Sequence, residues 1–116
     1  MAKFLFVYRN DSERPCEQPS PEEMQTIMAK WGEWFQQVGE GIVNGGDALM
    51  PTGKTVRGST VTDGPLIEAK ELVGGFSILQ ADTYDQAVEY AKTCPIIENG
   101  GSVEVRELAG FDEKGG

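Results

Sequence analysis

Histidine is missing altogether from this chain of 116 residues, and cysteine occurs only twice, at Cys16 and Cys94. With no imidazole or second thiol near either sulfur, neither a zinc site nor a CxxC redox pair can be drawn, and every histidine-dependent mechanism is excluded. No metal and no cofactor are expected. Cations are scarce too. Ten Lys and Arg against 19 Asp and Glu leave a formal charge of −9. The clustered cations that displace counterions from a nucleic-acid backbone are therefore lacking, and an acidic surface repels anionic membranes. No apolar run approaches the roughly 20 residues that a membrane-spanning helix needs. The run Phe4–Val7 near the N-terminus is too short for a signal peptide. The expectation is a cytoplasmic protein with reduced thiols, one domain over residues 1–116, large enough to bury a core without disulfide or metal staples.

What is present reads as alternating strands and helices. Phe4 to Tyr8 is apolar or aromatic at every position, so both faces of this strand call for cover. After a charged loop with Pro15 and Pro19, Ser20-Pro21-Glu22-Glu23 combines a capping serine, a proline suited to the first helical turn and the glutamate of a capping box. Met24, Ile27, Met28, Trp31, Phe35 and Val38 then recur at helical spacing, with Gly39 or Gly41 as the stop. This places Trp31 and Trp34 in the core or at its flank.

Ile42 to Met50 reads as a strand interrupted by Gly45-Gly46, the sign of a bulge or a close backbone approach. Lys54–Arg57 and Ser59–Thr62 flank Gly58 as the arms of a hairpin. Leu72-Val73 enters a strand over Gly74–Ala81, whose paired glycines leave room for another backbone or a ligand. Thr83–Gln86 is a second capping box opening a helix with the stripe Tyr84, Ala87, Val88 and Ala91, which stops before Pro95. Beyond an Ile96–Gly101 loop, Val103 and Val105 alternate with Glu104 and Arg106 in a final strand.

Between the hairpin and the Gly74 strand lies the stretch richest in candidate chemistry. Asp63-Gly64-Pro65 has the composition of a turn. In an extended chain Glu68 and Lys70 share a face, with Asp63 and Glu71 near by. Asp63 is the candidate catalytic carboxylate. Arg57, Gly64, Pro65, Glu68, Lys70, Glu71, Phe76 and Tyr8 are the candidate binding residues.

The order of elements predicts an α+β fold on a ferredoxin-like βαββαβ plan with an inserted β-hairpin, an antiparallel sheet with two helices on one face. Two helices cover one face only, while the first strand is apolar on both. A second copy packed sheet to sheet, a homodimer with a cavity between the sheets, is the simplest cover. A flap formed by residues 52 to 72 is the competing one.

Several segments together resemble the YCII-related proteins of the DGPF type. They are Pro21–Met24, Lys30-Trp31 with Trp34, Gly53-Lys54, Val61–Pro65, Glu68–Glu71, Gly74–Phe76, Asp85–Val88, Cys94-Pro95 and Gly101–Arg106. The resemblance runs nearly end to end and implies a bacterial, dimeric α+β barrel. It also implies a setting near extracytoplasmic-function sigma factors, with no assigned reaction for most members. Two departures matter: Leu66 stands where the family's name places Phe, and the His and Asp pair proposed as catalytic in part of the group has no histidine to supply it here.

Three functions follow. The first is a small-molecule-binding or regulatory homodimer whose cavity is lined by the Asp-Gly-Pro loop, Glu68, Lys70 and the aromatics Phe6, Tyr8 and Phe76. The alternative is a small lyase or isomerase in which Asp63 moves a proton and Arg57 or Lys70 holds a carboxylate. The third makes the motif structural, in a protein that associates with a sigma-factor-linked partner.

Overall fold

Strand β1 (Ala2–Asp11) alternates strictly: Phe4, Phe6 and Tyr8 are buried, while Leu5, Val7 and Arg9 are half-buried on the opposite face. This computed structural model describes residues 2–11, 20–50, 52–64, 67–68, 71–98 and 100–110. Helix α1 (Pro21–Val38) begins where the capping signal places it, Ser20 Oγ accepting from Glu23 N at 3.1 Å, and stops at Gly39 in a positive-φ conformation. A single 3-10 turn over Gly39–Gly41 leads into β2 (Ile42–Ala48). There follow β3 (Lys54–Arg57), β4 (Thr60–Asp63), the short β5 (Ile67–Glu68) and the long β6 (Glu71–Ala81). Helix α2 (Tyr84–Lys92), the one-turn α3 (Pro95–Glu98) and β7 (Ser102–Glu107) complete the order.

The four long strands lie in the order β2-β6-β1-β7, every neighbouring pair antiparallel, and β5 adds to β6. This is the ferredoxin-like plan. The β3–β4 hairpin is a separate two-stranded sheet. Both main helices pack on the face carrying Phe4, Phe6, Ser77, Leu79 and Ala81, where Trp34, Val38, Ala87 and Ala91 complete the core. The indole of Trp34 donates to Tyr90 O at 3.0 Å and so ties α1 to α2.

On the other face, Leu5 lies opposite Ile78 and Val7 opposite Phe76, all four half-buried, with the Arg9–Glu104 ion pair at 2.7 Å beside them. No helix of the described residues is long and apolar enough to cross a membrane.

Several details differ from the expectations. In α1 the fully packed positions are Trp34 and Val38, whereas Met24 and Met28 are 44% and 63% exposed. The first turns of α1 overhang a cavity, and only the later turns rest on the sheet. In α2, Tyr84 and Val88 stay exposed at the flank, and Tyr84 meets Phe4 edge-on at 4.8 Å. Pro95 both stops α2 and opens α3, as a proline at a first helical position can, so the Ile96–Gly101 loop is partly helical. The hairpin turns through two residues, Gly58-Ser59, with Gly58 at φ 62°. Its second arm is therefore Thr60–Asp63, and the register sets Lys54 opposite Asp63. Finally, Glu68 pairs with Glu71, so the chain reverses between them and the stretch is not one extended strand.

Candidate functional site

Asp63 ends β4 with its carboxylate on Lys54 Nζ at 2.6 Å, and both side chains are largely in solvent. Gly64, at φ 98°, donates to Gly53 O at 2.7 Å, and its carbonyl accepts from Thr55 Oγ1 at 3.2 Å. These contacts close the open end of the hairpin, with the left-handed backbone falling on the residue that lacks a Cβ. Arg57, at the far end of β3, is exposed and faces Thr60 in the register. Pro65, Lys70 and Cys16 lie outside the described residues, as do the side chains of Glu68 and Glu71. Asp63, Gly64 and Arg57 therefore sit on a projecting hairpin, whereas Tyr8 and Phe76 belong to the main sheet.

At the main sheet the fold forms a cavity of about 450 Å³ between α1 and the β2, β6 and β1 strands. Its helix side is Met24, Ile27, Met28, Trp31 and Phe35. Its sheet side is largely bare backbone, because Gly45, Gly46, Gly74 and Gly75 carry no side chains to fill it. The twin glycines also let strands approach. A Cβ at Gly46 (φ 71°) would fall on the Phe76 carbonyl. One at Gly75 would come 3.0 Å from Asp47 O. The register slip between Tyr8 and Arg9 leaves Gly74 as an extra residue, with the Asn10 carboxamide lying where its Cβ would be.

Polar groups in the lining are few. Tyr8 OH donates to Ser77 Oγ at 2.8 Å, and Ser77 donates onward to Gly45 O at 2.7 Å, a relay that crosses β1, β6 and β2. Burial pushes the Tyr8 hydroxyl well above the usual phenol range, against the opposing pull of the Ser77 hydrogen bond, so it stays a neutral donor. Behind it, burial pushes the Cys94 thiol up to about 11 and keeps it protonated at neutral pH. Asp47 accepts from Ala48 N at 2.8 Å and is the charged residue among the described lining residues. On the opposite sheet face, hydrogen bonding from Arg9 holds the Glu104 carboxyl below the usual carboxylate range. Among the described residues no group of three or more His, Cys, Asp or Glu is placed to hold a metal ion.

The cavity thus joins Tyr8 from the sequence reading to residues that the reading left as core or loop, chiefly Trp31, Phe35 and Asn10, whereas Phe76 and Asp47 border it but are paired with each other in the register, on the sheet face of Val7. A signal for them exists in the chain. The apolar stripe of α1 begins two turns before the tryptophans, and two separate diglycines supply strands with nothing to pack beneath it.

A search of the curated proteins finds no match. The family model of the YCII-related domain, however, matches residues 4–112, nearly the whole chain, and the protein belongs to that family.

Proposed function

We propose that this chain is a small-molecule-binding domain acting as a homodimer, with its ligand seated in the cavity beneath the first turns of α1. The observation that carries the reading is the cavity itself. Its volume of about 450 Å³ falls in the range of ligand pockets, and its walls are aromatic and thioether side chains with a few polar groups at one side. Met24 and Met28, exposed and unbranched, can move to admit and then cover a guest. The half-buried Leu5, Val7, Phe76 and Ile78 face supports sheet-to-sheet dimerisation, which would leave both cavities on the outer, helical sides. Asp63, exposed and paired with Lys54, lends no support to the acid–base alternative.

The test is a thermal-shift screen of a broad metabolite library on the wild-type chain and on Trp31→Ala. Binders should raise the wild-type melting temperature and lose most of that effect in the variant. A library that stabilises neither protein, or both equally, sinks the reading.

A second reading, association with a protein partner, is favoured by the β3–β4 hairpin. It stands as its own two-stranded sheet with Val56 and Val61 cross-strand neighbours that are 66% and 57% exposed. Hairpins of this size are marginal without further cover. Deleting residues 54–63 and measuring the mass in solution separates a hairpin that grips a second copy from one that does not.

A further inference from the structure

We propose that the ligand of the α1 cavity is a planar fused heterocycle with a lactam edge, an N–H beside a C=O, and that the Asn10 carboxamide at the cavity mouth reads that edge through a pair of hydrogen bonds. This rests on the reading of the cavity as a ligand site and names the chemistry of its guest.

The first observation is which polar side chain is left over. Among the described lining residues, Tyr8 and Ser77 are committed to each other and to Gly45 O. Asp47 accepts from Ala48 N and, in register with Phe76, belongs to the sheet face of Val7. Asn10 lines the cavity, is exposed, and makes no hydrogen bond to a described residue. Its carboxamide carries a donor and an acceptor side by side. A guest that displaces water from it must return an acceptor and a donor at the same spacing, or leave a polar group unpaired. A lactam edge supplies both, in the way that an adenine edge satisfies asparagine in the major groove of DNA.

The second is how the fold seats that side chain. Alternation along β1 puts Asn10 on the face of Tyr8, beneath α1. The register slip between Tyr8 and Arg9 leaves Gly74 as an extra residue, and a Cβ there would fall on Asn10 Nδ2. Only a glycine therefore lets the carboxamide lie across β6 at the border of the glycine floor.

The third is shape. The roof is Trp31 and Phe35 with the Met24 and Met28 thioethers, and the floor is the bare backbone of the two diglycines. At Gly45 the roof meets the floor, since a Cβ there would touch Phe35 Cζ at 3.7 Å. A guest is thus held between peptide groups and aromatic rings, where a flat ring system gains stacking and sulfur contacts that a saturated body does not. The volume of about 450 Å³ equals roughly 15 water molecules at about 30 Å³ each, ample for a fused bicycle.

The experiment compares two probes of one shape, quinolin-2(1H)-one and coumarin, which differ in a ring N–H against a ring oxygen. Each is titrated into the full wild-type chain and into Asn10→Ala, a change at an exposed side chain without a described partner, and followed by calorimetry and by NMR shifts. The lactam is expected to bind the wild type about tenfold more tightly than the lactone, with shifts centred on the Asn10 side-chain NH2, Gly74, Gly75 and the Trp31 indole N–H. In Asn10→Ala the two probes should bind within about twofold of each other. Equal binding of lactam and lactone to the wild type, with shifts at these groups, would refute the edge reading and leave the cavity a ligand site. A lactam preference that survives Asn10→Ala, or lactam-induced shifts that avoid the Asn10 NH2, also overturns it. If neither probe moves a cavity resonance at millimolar concentration while the chain stays folded, the lactam proposal falls, and the metabolite screen decides the site by itself.

Discussion

Ser77→Ala tests the buried relay that crosses three strands under the cavity. Ser77 has no exposed surface, and its hydroxyl accepts from Tyr8 OH at 2.8 Å while donating to Gly45 O at 2.7 Å. Removing it takes little volume but orphans two groups. The Gly45 carbonyl borders the cavity and can turn to water, whereas Tyr8, 6% exposed, loses the acceptor for its proton. A buried donor without a partner costs about 1–3 kcal/mol. Tyr8→Phe is milder. Ser77 keeps its bond to Gly45 O and loses one of its two partners, about 0.5–1.5 kcal/mol.

The double variant removes donor and acceptor together, so its cost should fall below the sum of the singles by about 1 kcal/mol. At roughly 4 °C per kcal/mol for a domain of this size, Ser77→Ala should melt some 4–12 °C low. Urea unfolding at one fixed protein concentration, with unchanged m-value, provides the measurement, since an oligomer's midpoint moves with concentration. A Ser77→Ala chain no less stable than Tyr8→Phe, or strictly additive singles, would refute the relay.

Trp34 is 2% exposed and hydrogen-bonded to Tyr90 O, so Trp34→Ala should lose about 3–5 kcal/mol, and Trp34→Phe markedly less, by urea denaturation. Cys94 has a folded pKa of about 11 against an ordinary 9.0. Its contribution is complete below pH ~9 and is lost as pH rises from there through 11, on the order of 2 kcal/mol. A Cys94→Ala chain should show a shallower stability loss over that window, and an equal slope would exclude the assignment. Val7→Glu places a charge in the centre of the open sheet face opposite Phe76 and should convert the proposed dimer to monomers in sedimentation while preserving the circular dichroism spectrum; a wild-type chain that sediments as a monomer would refute the dimer itself. Asp63→Asn, which breaks only an exposed pair with Lys54, should leave the unfolding midpoint unchanged.

Local signals decided most of the secondary structure. Ser20 and Thr83 start helices because a hydroxyl can accept from the N–H three residues on, at 3.1 Å in both cases, and Gly39 ends one because it tolerates positive φ. The alternation of Phe4, Phe6 and Tyr8 with Leu5 and Val7 likewise fixed which residues share a face before any partner strand was known. Composition was equally decisive in one negative sense: a chain without histidine cannot do imidazole chemistry.

What the chain alone left undecided was which face of α1 is covered and by what. Periodicity marks an apolar stripe without saying which part of it rests on the sheet. Only the tertiary fold shows that Trp34 is fully packed while Met24 and Met28 stay exposed over the cavity, with Trp31 half-buried at its wall. The glycine pairs are far apart in sequence and become one floor because β2 and β6 are hydrogen-bonded neighbours. Register set the fate of Asp63 in the same way. A two-residue turn at Gly58-Ser59 lays it across from Lys54, and a charge so placed at a hairpin's open end meets a cation and water before it meets any substrate.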